Sequence, residues 1–473
     1  MNGNETRRSR RACAVFTLAV LISSVAPASA QQAAAGPWRQ YATPEEAGFN
    51  ATKLEAVRRH ADSVRSGAVM AVYRGRVLVA WGDVARELEL HSVRKSLVSA
   101  LYGTAIAENR IDLGRTLADI GIQDRDPLTD AERQARIRDL LAARSGVYLP
   151  AAYAASDQDE SRPARGSHAP GTHFFYNNWD FNVAGVIYER LAGEKLYESF
   201  ARRIARPIGA EDFGPEDGFP VYEPSSSIHP AHTFRMSTRD LARFGQLFLQ
   251  RGRWAGRQIV PADWVALSTR PVSDFGDGSG YAFMWWTRAA GSTGARYPQL
   301  SRYGNYSAQG TGGQLVLVVP DAELVIVHRG DTDQNRNVAG RDAWAIAEGI
   351  LVAREGEPAA EPRLVPLQPT PLASQAPPRP ALKPLALDRA LLAEYAGDYE
   401  IAPNVVARAF IWLDRLFMNF PGQGEAELLA VTPAEFTIMP VAGVRVTFVR
   451  DANGRVSEFN ASLGPQRFHG RKR

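Results

Sequence analysis

Two hairpin patterns stand far apart in this chain, and a single sheet has to bring them together. Ala68 to Trp81 carries two β-rich runs, AVMAVY and VLVAW, around Arg74-Gly75-Arg76. Gln314–Val319 and Leu324–His328 flank Pro320-Asp321-Ala322 in the same way, and a helix-like Asp342–Arg354 follows. Between the hairpins, the section from 110 to 270 reads as mostly helical, with Ala131–Ala143 and the amphipathic Thr238–Gln250 as examples. Ser237 is placed to cap the second of these. Strands at both ends of a helical middle predict a mixed α/β domain whose sheet joins distant segments.

The rest of the chain divides by composition. Nine prolines fall between Pro358 and Pro384, which predicts an extended linker. Beyond it, short alternating runs (RVTFV, RVSEF) and turn signals at Pro421-Gly422 and Asn453-Gly454 predict a small all-β module over 385–473. At the other end, Arg7, Arg8, Arg10 and Arg11 precede an apolar stretch from Ala12 to Val25 and a small-residue site at Ala28-Ser29-Ala30. That is the layout of a secretory signal peptide over 1–30, cleaved after Ala30, and it predicts a periplasmic or secreted protein. No later apolar run is long enough to span a bilayer, so no stable membrane insertion is expected after cleavage.

Removing residues 1–30 leaves 51 basic and 50 acidic residues, a net charge of +1, so composition gives no support for a nucleic-acid partner. Cys13 leaves with the leader, and the remaining chain has no thiol for a disulfide or a Cys-based metal site. The eight histidines are scattered, with His229 and His232 at i, i+3 spacing, and no metal or organic cofactor is expected.

The lysines are more informative. Only five occur among 55 basic residues, and Lys95 stands three positions after Ser92 at the start of a predicted helix, Ser92 to Asn109. On a helix these two share a face, and the helix N-terminus favours developing negative charge. An amine with a depressed pKa can deprotonate a serine, whereas arginine does not give up its proton. Taken alone, the pair reads equally well as a helix start with a solvated lysine. Two further pieces accompany it. Tyr176-Asn177-Asn178 lies on a polar loop before a helical run, Phe181–Leu191, and supplies a phenol and an amide. Ala308-Gln309-Gly310-Thr311-Gly312-Gly313-Gln314 leads into a strand, where small residues leave backbone N–H groups open to an oxyanion. The G-x-S-x-G elbow of a different hydrolase fold does not occur.

In this order the three pieces resemble the serine β-lactamase and penicillin-binding-protein superfamily, in its class C-like branch. SVRKS at Ser92, YNN at Tyr176 and QGTGGQLVLVVP from Gln309 carry the likeness. LLAARSG at Leu140, HPAHTFRMSTRDLARFG at His229, IVPADW at Ile259 and GYAFMWW at Gly280 extend it over roughly 37–355. LLAEYAGDY at Leu391 resembles the start of the small barrel appended to many such hydrolases. The resemblance implies a β-lactamase-like mixed sheet flanked by helices, with a helical subdomain, over 31–357, then the linker 358–384 and a barrel over 385–473. It implies that Ser92 is acylated, with Lys95 as base, Tyr176 as proton relay and Asn178 touching substrate and lysine. It also implies an oxyanion hole of the Ser92 and Thr311 N–H groups, with Gly310 and Gly312 beside the substrate. The family's third motif usually opens with a cation that receives a substrate carboxylate, and here Ala308-Gln309-Gly310 takes its place. That departure favours the esterase and 6-aminohexanoate-dimer hydrolase branch, with a small ester or amide as substrate. A β-lactamase or D,D-peptidase acting on a lactam or cell-wall-like substrate, and a non-catalytic binder, are the alternatives. Trp285 and Trp286 are the expected lining of an acyl pocket.

Overall fold

A computed structural model describes residues 36–154, 160–292, 296–374, 384–422, 424–438 and 443–473. The leader 1–30 and part of the Pro-rich segment lie outside the described residues. The two distant hairpins form as expected, Ser66–Tyr73 with Arg76–Gly82 and Gln314–Val319 with Leu324–Gly330. They meet where Leu324–Gly330 pairs antiparallel with Ser66–Tyr73, in register from Leu324 opposite Tyr73 to Arg329 opposite Ala68. These four are the middle of a ten-stranded mixed sheet that continues through Asn305–Gly310 and Trp286–Arg288. Arg39–Tyr41 pairs parallel with Arg76–Gly82, and a parallel bridge joins Trp81 to Thr370.

Alternation decides which layer each residue joins. Val69, Ala71, Leu315, Leu317 and Ile326 pack on one face against Leu54 and Ala61 of the Ala51–Ser63 helix and Ile346 and Ile350 of the Gly340–Val352 helix. Ala68, Met70, Val316, Val325 and Val327 pack on the other, against Leu241, Phe244 and Phe248 of the Thr238–Leu249 helix. Ser237 caps that helix as expected, accepting from the N–H of Asp240 at 3.2 Å. Behind it lies the Arg94–Ala107 helix, with every residue from Arg94 to Ala105 buried. Helices apolar all round belong inside a larger body. At Gly103 a Cβ would come within 2.3 Å of Trp264, so only glycine lets that indole close on the helix.

Three sequence expectations need correction. Ala131–Ala143 is not one helix, because it divides into Glu132–Gln134 and Ile137–Leu141. Between them Ala135 and Arg136 are extended, and the backbone there bonds instead to Arg115 and Leu117 (Leu117 N to Ala135 O 2.9 Å, Ile137 N to Arg115 O 3.0 Å). The middle section also holds a hairpin, Gly218–Glu223 with Ser227–Met236, so His229 and His232 are on a strand and not on a helix. Nearly all of Ser227–Met236 is buried, which erases the alternation that marks a half-exposed strand. Finally, the Pro-rich segment is partly ordered onto the body. Leu364–Pro366 pairs with Arg39–Tyr41 at the sheet's edge, the position where a strand tolerates proline, and Leu372 is buried.

The C-terminal module is a nine-stranded antiparallel sheet filled by Tyr395, Tyr399, Phe436, Phe448 and Phe459. Its terminal strands, Gly424–Glu427 and Leu429–Ala430, are separated only by Leu428, so the sheet is a nearly closed barrel. It touches the body at the Gly218–Glu223 hairpin, where Trp412 meets Tyr222 edge-on at 5.4 Å and Ser225 N donates to Glu425 Oε1 at 3.1 Å.

Candidate active site

Ser92 lies in a tight turn, His91–Val93, that runs straight into the Arg94–Ala107 helix. His91 enters this turn with φ at 49°, a left-handed conformation unusual for a side chain with a Cβ. One helical turn on, Lys95 Nζ is hydrogen-bonded to Ser92 Oγ at 2.9 Å, to the Tyr176 hydroxyl at 2.7 Å and to Asn178 Oδ1 at 2.8 Å. Its Nζ also lies over the rings of Tyr176 (4.2 Å) and Phe181 (4.4 Å). All three hydrogen bonds end on neutral oxygens in a buried place. Burial first, and then the neighbouring Arg94, hold the amine well below its ordinary range. Tyr176 moves the opposite way, pushed up to about 12 by burial, with the Ser92 hydrogen bond and Arg94 opposing. The site therefore favours a neutral amine beside a neutral phenol, and of the two the amine is the stronger proton acceptor near neutral pH.

The loops that hold these groups are built from buried polar contacts. Asn177 caps the Asn178–Ala192 helix through the N–H of Trp179, and its amide donates to Val147 O at 2.7 Å. Asp180, in the first turn, accepts from Ser145 Oγ at 2.5 Å, which ties the LLAARSG segment to the YNN segment. Asn178 is oriented from behind, because its Nδ2 donates to the backbone carbonyl of Tyr153 and so leaves Oδ1 to face Lys95. The Tyr153 hydroxyl in turn bonds His91 Nδ1 at 2.8 Å, and His91 Nε2 bonds Thr332 Oγ1 at 2.9 Å. Burial, then Arg329, lowers the His91 pKa to about 4, so this ring is neutral at ordinary pH and needs one partner as donor and the other as acceptor.

The third motif closes the remaining side. Gly310 ends the Asn305–Gly310 strand, and a Cβ there would lie 2.7 Å from Leu90 O and 3.1 Å from Ser92 N. Only a glycine lets the strand end rest on the main chain of the serine. Thr311 follows it, exposed, at the start of the turn. Gly312, at φ 77°, is demanded by its neighbours, since a Cβ would strike Thr332 Cγ2 at 2.2 Å. Ala308 is buried in the core, and Gln309 Nε2 donates to Ser307 Oγ at 3.0 Å. The two tryptophans separate: Trp285 is wholly buried against Phe244 and Phe248, whereas Trp286 is half-buried and stacks on Tyr176 at 5.4 Å. Sequence reasoning placed Ser92, Lys95, Tyr176, Asn178 and Gly310 together, as found. It missed His91, Phe181 and Tyr153, and for Tyr153 no residue-type signal exists, because the group that matters is a backbone carbonyl.

A serine three residues before a buried lysine, with a Tyr-x-Asn triplet closing on the amine, thus lies between a mixed sheet and a helical layer. The Beta-lactamase family model matches residues 52–349, more than half of the chain, and the chain belongs to that family of hydrolases. Among solved structures it is similar to an octameric penicillin-binding protein homologue from Pyrococcus abyssi (14% identity, 89% of this chain and 100% of that chain, TM-score 0.49). It is also similar to a Bacillus anthracis structure described as a 6-aminohexanoate-dimer hydrolase (20% identity, 62% and 80%, TM-score 0.47). A third is EstCE1, a hydrolase with promiscuous acyltransferase activity (16% identity, 66% and 99%, TM-score 0.46). No curated protein matches the chain. Among the described residues no helix is long and apolar enough to cross a membrane.

Proposed function

We propose that this protein is an exported serine hydrolase that cleaves a small ester or amide through an acyl-enzyme on Ser92. The observation that carries the reading is the convergence of Ser92, Tyr176 and Asn178 on a buried Lys95 whose hydrogen bonds run to these three neutral oxygens. Neutral Lys95 takes the Ser92 hydroxyl proton as Oγ attacks the carbonyl carbon. The N–H groups of Ser92 and Thr311 hold the resulting oxyanion, and Gly310 lets the strand end approach closely enough for this. Tyr176 passes its proton to the leaving alkoxide or amine as the C–O or C–N bond breaks, and recovers one from the lysine ammonium. Water then attacks the acyl carbon by the reverse proton path and frees Ser92. Every step uses protein groups and water.

The ester and amide reading is preferred over a β-lactam or D-alanyl peptide because the position of the family's carboxylate-binding cation is Ala308, which is buried in the core. The reading places the mature chain from residue 31, with 385–473 as a separate module attached to the hydrolase body. A fluorophosphonate probe followed by intact-mass and peptide analysis tests the assignment. The expected result is a single adduct on Ser92 and none in Ser92→Ala, together with loss of ester turnover. Lys95→Arg is expected to be nearly as damaging although it keeps the charge. An adduct on another residue, or wild-type turnover by Ser92→Ala, refutes it.

A further inference from the structure

A row of side chains leads outward from Ser92 along one sheet face. Gly310 rests on the serine's main chain, and Gln309 and Ser307, which alternate onto the same face, are joined by their own hydrogen bond at 3.0 Å. Ser307 is the cross-strand partner of Trp286, so the indole continues that face on the neighbouring strand. Trp286 stacks on Tyr176 at 5.4 Å with 25° between the planes, and Phe174 meets it edge-on at 6.4 Å. Phe275 extends the cluster, 5.0 Å from Phe174 and 6.4 Å from Trp286, and is 41% exposed. Ser307 is buried beneath this row, so the wall that starts at the nucleophile shows the Gln309 amide and then the rings, and it reaches water as an aromatic surface.

The cations around it are tied to neutral oxygens or stand further out. Arg144, on the side of Phe174, donates to Gly171 O, Thr172 O and Ser273 Oγ. Arg288, on the same strand and face as Trp286, lies two residues further from the nucleophile. Exposed rings joined to a reactive centre are a poor use of surface unless something flat and apolar covers them. A carboxylate beside them would lose part of its hydration, with the Gln309 amide as the neighbouring donor to replace it.

We infer that Trp286, Phe174 and Phe275 form a subsite for an uncharged aryl arm of the substrate, so that the preferred substrate is a neutral aryl-bearing ester or amide. This rests on the hydrolase reading above, and the test separates the two. Two ester pairs are compared: p-nitrophenyl acetate with p-nitrophenyl 3-phenylpropanoate for an aryl group on the acyl side, and ethyl acetate with benzyl acetate for the alcohol side. The wild type is expected to favour the aryl member by about tenfold or more in kcat/KM in one pair, which identifies the side. Phe275→Ala and Trp286→Ala should each reduce that preference severalfold, mainly through KM, while Trp286→Phe retains most of it. Adding a carboxylate to the aryl ring should abolish the preference. Equal rates within both pairs, or variants that depress both members of a pair alike, overturn the subsite while phosphonate labelling of Ser92 upholds the hydrolase. No turnover of any ester and no label on Ser92 overturn both.

Discussion

Asn178→Asp changes two atoms' worth of chemistry and almost no volume, and it places a carboxylate where a neutral amide oxygen now sits 2.8 Å from Lys95 Nζ. At an effective dielectric constant of about 20, opposite unit charges at that distance attract by about 6 kcal/mol, or about 4 pKa units. Burying a second charge opposes this, and allowing about half for desolvation leaves a rise of about 2 units in the lysine pKa. The sign follows from the mechanism. The wild-type amine is held low by burial, so it is neutral and able to act as base from a comparatively low pH upward. An aspartate favours the ammonium and moves the rising limb of the kcat/KM profile to higher pH. Below the wild-type limb activity should therefore fall about a hundredfold and recover tenfold for each pH unit gained. Asn178→Ala removes an acceptor without adding charge, and its limb should stay or move slightly down. The measurement is kcat/KM for a neutral ester from pH 5 to pH 10 on all three proteins, with circular dichroism to confirm folding. If Asn178→Asp lowers the whole profile without displacing its limb, Lys95 is not the titrating base.

Other outcomes follow from single contacts. His91→Ala removes the link between the Tyr153 and Thr332 loops and should lower kcat by about 10- to 100-fold through misplacement of Asn178 and the serine turn. His91→Gly should lose the same activity yet unfold at no lower temperature, since glycine accepts φ near 49° without strain; retained activity in either variant would remove the clamp from the mechanism. Ser237→Ala should cost about 1 kcal/mol of stability, read as a lower midpoint in thermal or urea unfolding, with kinetics unchanged. Truncation after Arg354 strips the Leu364–Pro366 edge strand and Leu372 from the body and should destabilise it, whereas truncation after Ser374 keeps them and removes only the module beyond. Comparable melting of the two truncations would show that the Pro-rich segment contributes no stability.

How much of this was legible before the structure depended on whether a residue's role is written in its side chain. The two hairpins were readable because β-rich apolar runs flank short turn sequences, and their union into one sheet followed from the helical section between them. Ser92 and Lys95 were readable because three residues on a helix is a contact, even though Ser92 proved to stand in the turn before it. The Ser227–Met236 strand was not, since the buried polar residues Ser227, His229, His232 and Thr233 interrupt its apolar run. Neither was the break at Ala135, which is imposed by hydrogen bonds to a segment some twenty residues earlier. At the site itself the same division holds. Tyr176 and Asn178 announced a phenol and an amide, but what aims Asn178 is the carbonyl of Tyr153, and what steadies Tyr153 is a histidine whose sequence position says only that it precedes the serine. The paired tryptophans show the limit most directly. Adjacent and identical in type, they point to opposite sides of a strand start, so one fills the core against Phe244 and the other stacks on Tyr176. Composition could nominate both for the acyl pocket. Only the register of Trp286 against Ser307 puts one of them on the Tyr176 side, and that register is a property of the sheet, set by every pair along it.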